Sequence, residues 1–207
     1  DAAYAPQIHE RDSQFLNRFR THLGQADLSV MGGKVAGDSD AWMVGGDLAA
    51  DLGGGSVHGE FSYTDPIVRE PFDRFLAGYE YRFPGGQELP WLDDLWLLAE
   101  YYHNGGGARE TARYDFVGVL SGREVAMGRE YAGLGVSKVF TPLWTGELYA
   151  IRNLKDRSVF AGPAIKWNAL TNLDLLAGAQ VLTGTPQSEY GRLHTIYYLQ
   201  AQVFFGS

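Results

Sequence analysis

The stretch Asp73-Arg74-Phe75-Leu76-Ala77-Gly78-Tyr79-Glu80-Tyr81-Arg82-Phe83 has a period of two. Phe75, Ala77, Tyr79, Tyr81 and Phe83 fall on one face. Arg74, Leu76, Gly78, Glu80 and Arg82 fall on the other. A β-strand sends successive side chains to opposite sides, so this segment reads as a strand with one apolar and one charged face.

The same alternation recurs on both sides of it. Trp42, Val44, Gly46, Leu48 and Ala50 oppose Met43, Gly45, Asp47 and Ala49. Val57, Gly59, Phe61 and Tyr63 oppose His58, Glu60, Ser62 and Thr64. Leu95, Leu97, Ala99 and Tyr101 oppose Trp96, Leu98, Glu100 and Tyr102. Further along, Val159 to Trp167, Leu173 to Val181 and Leu199 to Phe205 repeat the pattern. Strands near 26–37, 130–140 and 145–154 are less regular, and Gly32-Gly33 reads as a bulge.

The spans are about 9 to 13 residues, the length of a tilted strand crossing a hydrocarbon layer. Short connections such as 52–55, 141–143 and 169–172 alternate with longer polar ones at 64–72, 104–128 and 184–192. Outer-membrane barrels show this asymmetry between periplasmic turns and outside loops. The connection Pro84 to Asp94 is longer than that rule expects on the periplasmic side. The expected fold is therefore all-β, an antiparallel transmembrane β-barrel with about 10 to 12 strands visible. A soluble sandwich or lipocalin-like barrel alternates too, but buries its apolar face as a core.

Aromatic residues cluster at strand ends, as amphipathic rings do at membrane interfaces. Phe83, Phe140, Trp144, Trp167 and Phe205 form the expected periplasmic girdle. Trp42, Tyr63, Phe75 and Tyr101 form the outer one.

The totals narrow the function classes. No apolar run approaches the roughly 20 residues of a membrane helix; Leu95 to Ala99 is a fragment of one. A net charge of -8 argues against a nucleic-acid partner. The absence of cysteine removes disulfides and thiolate metal sites. No cofactor and no metal site is expected.

Residues 1–24 read in two ways. Phe15, Leu16, Phe19 and Leu23 fit a helix capped by Ser13 and stopped by Gly24. They also fit a descending strand after an external loop at His9 to Asp12, with Ala2 to Ala5 ending an ascending strand. Barrel strands then occupy 25–207. The second reading makes the chain part of a larger barrel; the first, a ten-strand barrel with an N-terminal helix.

The inward face would carry Arg18, Arg20, Asp27, Asp47, His58, Glu60, Arg74, Glu80, Arg82, Glu100, Lys166, Gln180, Gln200 and Gln202. The charges of His58 and Glu60, of Arg74, Glu80 and Arg82, and of Glu100 lie on adjacent strands, within pairing reach. In a wide barrel they line an aqueous channel; in a narrow one they interlock as a plug. The loop Asn104 to Gly128 is either a constriction entering the lumen or a surface loop, with an apolar segment Tyr114 to Leu120 able to fold back.

Three stretches carry a resemblance: Tyr4-Ala5-Pro6-Gln7 with Glu10-Arg11-Asp12-Ser13, Val44-Gly45-Gly46-Asp47-Leu48 with His58-Gly59-Glu60, and Ser188-Glu189-Tyr190-Gly191 before a Tyr-rich last strand. They resemble the C-terminal half of a porin-like outer-membrane family of Gram-negative bacteria. The resemblance spans most of the chain and rests on glycine and turn residues. It implies additional N-terminal strands, and a C-terminal aromatic, Phe205, read by the barrel-assembly machinery. Gly206-Ser207 depart from that terminal pattern.

The expected function is a porin-like channel for passive passage of small polar solutes in the bacterial outer membrane. Its partners would be outer-membrane lipid and lipopolysaccharide, with no expectation for an oligomeric state. The alternative is a structural, adhesive or ligand-binding barrel, and a third reading is a rim-site enzyme acting on lipid or peptide. An enzyme is not expected. His58 and Ser62 share a strand face but stand about 13 Å apart. His103 beside Asn104, and His194 near Glu189 and Tyr190, lack a complete nucleophile, base and orienter.

Overall fold

A computed structural model describes residues 2–5, 14–35, 41–67, 69–86, 88–122 and 124–205. The strands are β1 (Ala2–Ala5), β2 (Gln14–Leu23), β3 (Ala26–Val35), β4 (Ala41–Leu52), β5 (Gly55–Pro66) and β6 (Phe72–Arg82). They continue as β7 (Trp96–Asn104), β8 (Glu130–Thr141), β9 (Trp144–Asn153), β10 (Val159–Leu170), β11 (Leu173–Thr183) and β12 (Ile196–Val203). They form one antiparallel sheet in chain order. The residues group into two compact units, Asp1–Tyr79 with Tyr101–Glu130, and Glu80–Glu100 with Tyr131–Ser207.

The barrel expectation is met only in its strands, because the sheet is not closed into a barrel. β12 pairs with β11, and among the described residues its other edge meets no strand. Closure depends on pairing between the two ends of a sheet, which no local alternation encodes.

Registers place the residues of each pattern on common faces. In the first unit Val44 stands opposite Gly32 and Tyr63, and Leu48 opposite Leu28 and Gly59. Phe19 stands opposite Val30 on the same side, and is 73% exposed. In the second unit Trp167 stands opposite Trp144 and Leu175, and Ala177 opposite Leu199. Leu199 is 78% exposed. The two tryptophans stack at 5.2 Å with planes 2° apart.

Among the described residues, neither apolar face is covered by a second layer. Among the described residues the buried hydrophobic side chains are Ala41, Tyr114, Met127, Tyr131 and Ala179 alone. A soluble sandwich would bury the alternating large residues instead.

The helical reading of the N-terminal segment is overturned: Gln14–Leu23 is a strand, paired with both β1 and β3. The ambiguous residues were resolved by partners on both sides, which propensity does not see. The expected external loop at His9 to Asp12, the Tyr4-Ala5-Pro6-Gln7 stretch beyond Ala5, and Gly206-Ser207 lie outside the described residues.

The bulge expected at Gly32-Gly33 is also absent, since register runs unbroken through both glycines. Shifts occur instead between Val139 and Thr141, and between Asn168 and Leu170, beside short turns. Gly33 has a different reason. A Cβ there would overlap the Phe15 carbonyl oxygen and lie 2.9 Å from Leu16 Cα. Gly33→Ala is expected to cost about 1–3 kcal/mol through backbone displacement. A denaturant midpoint equal to that of the parent protein would show that the close approach relaxes freely.

Candidate functional site

The polar face of the first unit begins with three interlocked strands. Ser29 on β3 stands opposite Arg20 on β2 and Asp47 on β4. Arg18 Nε donates to Ser29 Oγ at 2.9 Å, and Arg18 Nη2 to Asp47 Oδ2 at 2.5 Å. The Ser29 hydroxyl donates to the same carboxylate oxygen. At the turn end of the same face, His22 and Asp27 pair.

Glu60 follows on β5, directly opposite Asp47. It makes no hydrogen bond or ion pair among the described residues. His58, also on β5, stands opposite Ala49 and Ser62 opposite Gly45, so the two face along one strand rather than across.

Arg74 on β6 turns toward the long loop. Its Nε donates to Asn104 Oδ1 at 2.9 Å, and its Nη2 lies 3.6 Å from Glu124 Oε2. Its guanidinium also lies 4.7 Å from the centroid of the Phe72 ring. Arg69 donates to Glu124 Oε1 at 2.5 Å, and only 9% of the Glu124 side chain is exposed. Asn104, fully buried, donates to the carbonyls of Ala126 and Gly128 at 3.1 and 3.2 Å. Arg129 Nε donates to Gly107 O at 2.9 Å.

The loop is thereby tied at its base and near its far end, on the side where Arg74 projects. Within it, α1 (Phe116–Leu120) is a short helix whose first turn is capped by Asp115. In the segment read as able to fold back, Tyr114 is buried, whereas Val117 and Leu120 are exposed. Val125 joins Arg18, Asp47, Glu60, Arg74 and Tyr102 around a cavity of about 510 Å³, all within the first unit.

The second unit spreads its polar groups differently. Trp96 Nε1 donates to Glu80 at 2.9 Å, and Arg82 approaches Asp94 O at 3.5 Å. Lys166 pairs with Asp174 at 2.7 Å. Gln180, Gln200 and Gln202 stand opposite Ile196, Leu176 and Asp174. Of the charges expected within pairing reach on adjacent strands, Glu60 and Arg74 do not pair. Arg74 is taken by the loop and Glu80 by an indole N–H, both stronger claims than a long reach between solvated heads.

Sequence reasoning missed the most buried polar cluster. Glu189 Oε2 accepts from the Tyr131 hydroxyl and from Asn153 Nδ2, each at 2.7 Å. Glu189 N donates to Asp156 Oδ2 at 2.8 Å, and Tyr190 N to Ser158 Oγ at 3.3 Å. The cluster binds the 184–192 loop to the β9–β10 turn. The only sequence signal was Ser188-Glu189-Tyr190-Gly191, whose partners lie far off in the chain.

His103 stacks on Phe75 at 5.1 Å and its Nδ1 lies 2.8 Å from Glu130 Oε1, while the Tyr101 hydroxyl donates to Glu130 Oε2. Among the described residues no group of three His, Asp or Glu side chains is placed to hold a metal ion. Of the aromatic residues expected in the girdles, Phe75 and Tyr101 lie inside β6 and β7 rather than at their ends, with ring centroids 5.7 Å apart. Within the first unit, Trp42 lies at the start of β4, and Tyr63 on β5 is followed by Thr64, Asp65 and Pro66 before the strand ends. In the second, Phe140 and Trp144 lie at the ends of β8 and β9 that meet in a turn, and Trp167 lies on β10 opposite Trp144. Phe83 and Phe205 follow β6 and β12.

No protein-family model, curated protein or solved structure matches the chain.

Proposed function

We propose that the chain belongs to an outer-membrane β-barrel channel that lets small polar solutes pass by diffusion. One observation carries the reading: strands β2 to β12, of eight to twelve residues, present an uncovered face of large apolar side chains, opposite a face rich in charge. Lipid is the solvent that makes such a face favourable, and strands of this length cross it when tilted. In the hydrocarbon layer unpaired backbone groups cost several kcal/mol each, so the sheet edges require strand partners there. The barrel is closed in the membrane on this reading. Its outer surface meets lipid and lipopolysaccharide, and its last strand is the segment handled by the assembly machinery.

The charged face then lines the lumen. The loop 105–129, tied to Arg69 and Arg74 through Glu124, stands on that side and narrows the path. Purified protein added to a planar lipid bilayer is expected to give discrete conductance steps. Folded protein that inserts but never raises conductance above the bare bilayer would remove the channel reading, leaving a binding or adhesive barrel.

A further inference from the structure

We propose that the cavity beside Glu60 is a binding subsite for small organic cations of the amine or guanidinium class. Two carboxylates, Asp47 and Glu60, stand directly opposite each other on neighbouring strands. Like charges in that position destabilise a sheet. Asp47 is answered by Arg18 and Ser29. Arg74, the other arginine lining the cavity, is directed to Asn104 and Glu124. Glu60 remains, exposed and without a hydrogen bond or ion pair among the described residues.

The cavity has a volume of about 510 Å³, within the range of small-molecule sites. Met31, Leu76, Val125 and Tyr102 supply apolar and aromatic surface beside the carboxylate. A ligand with a cationic head and a short apolar body satisfies both parts. A guanidinium can meet the Glu60 carboxylate through two parallel N–H donors. An anion would have to displace Arg18 or Arg74 from existing partners. The inference rests on the channel reading for the claim that the ligand is a passing solute, while binding itself is measured without any conductance.

The experiment is an NMR titration of the folded chain in detergent micelles with propylguanidinium, and separately with butanoate. Saturable shifts confined to the cavity residues are expected with propylguanidinium and not with butanoate. Glu60→Gln is expected to weaken that binding about tenfold or more, since one charge-assisted contact is lost. Glu60→Gln also removes the repulsion with Asp47, so folding is not at risk. Glu60→Asp, keeping the charge, is expected to retain most of the affinity. Equal affinity in Glu60→Gln, preferred binding of butanoate, or no saturation in the parent chain overturns the subsite. Binding intact in a chain that conducts nothing overturns the channel instead.

Discussion

Glu189→Ala is expected to lower the stability of the second unit by about 3 kcal/mol, from two charge-assisted hydrogen bonds lost at a buried site. One carboxylate oxygen, Glu189 Oε2, accepts from both the Tyr131 hydroxyl and Asn153 Nδ2. Tyr131 is 3% exposed and Asn153 is fully buried, so water cannot readily replace the lost acceptor. Truncation also removes a buried charge, which offsets part of the loss and keeps the expected figure near the lower end. The β9–β10 turn would feel the change. Asn153 Oδ1 holds the backbone N–H groups of Lys155 and Asp156, and Asp156 Oδ1 holds Ser158. Glu189→Gln keeps one acceptor oxygen and should lose less. Denaturant unfolding together with amide exchange at 153–158 and 185–191 reads both effects. Parent-like exchange in Glu189→Ala would mean that the loop is held by the backbone contacts to Asp156 and Ser158 instead.

What was readable beforehand follows from the period of a strand. A slip of one residue sends every side chain to the opposite face, so regular alternation identifies the faces before any partner is known. Val44 and Tyr63, or Trp144 and Trp167, could be assigned to one side from spacing alone, and the register places each pair as direct partners. Phe15, Leu16, Phe19 and Leu23 could not be assigned, because four apolar residues at that spacing satisfy both periods. Pairing with β1 and β3 decides them. Glu124 was invisible for another reason. Its partners Arg69 and Arg74 are separated from it by a whole strand and loop, and an acidic loop residue ordinarily reads as solvated. Gly33 looked like a bulge since glycine marks both bulges and close backbone approaches. Closure of the sheet lies beyond any local pattern.

Leu48→Arg separates lipid from water as the solvent of the apolar face. Leu48 lies near the middle of β4, opposite Leu28 and Gly59, and its side chain is exposed. If that face meets the hydrocarbon layer, an arginine near the midplane is expected to cost about 2–4 kcal/mol. Nearer the strand end the cost should fall to about 0–1 kcal/mol, so Trp42→Arg makes the graded control. In water the order would reverse: a charge on an exposed sheet face is close to neutral and raises solubility. Unfolding from lipid vesicles in denaturant measures the difference between the two variants. A large loss at Leu48 with a small one at Trp42 gives the depth dependence that only a bilayer imposes. Equal, small effects would place the face in water, where the uncovered Phe19, Val44 and Phe61 would demand a protein partner instead. The two outcomes assign opposite roles to the charged face as well. Under lipid it is the lumen and Glu60 meets passing solutes; under water it is one more solvated surface, and the polar cavity loses the barrel that would make it a passage.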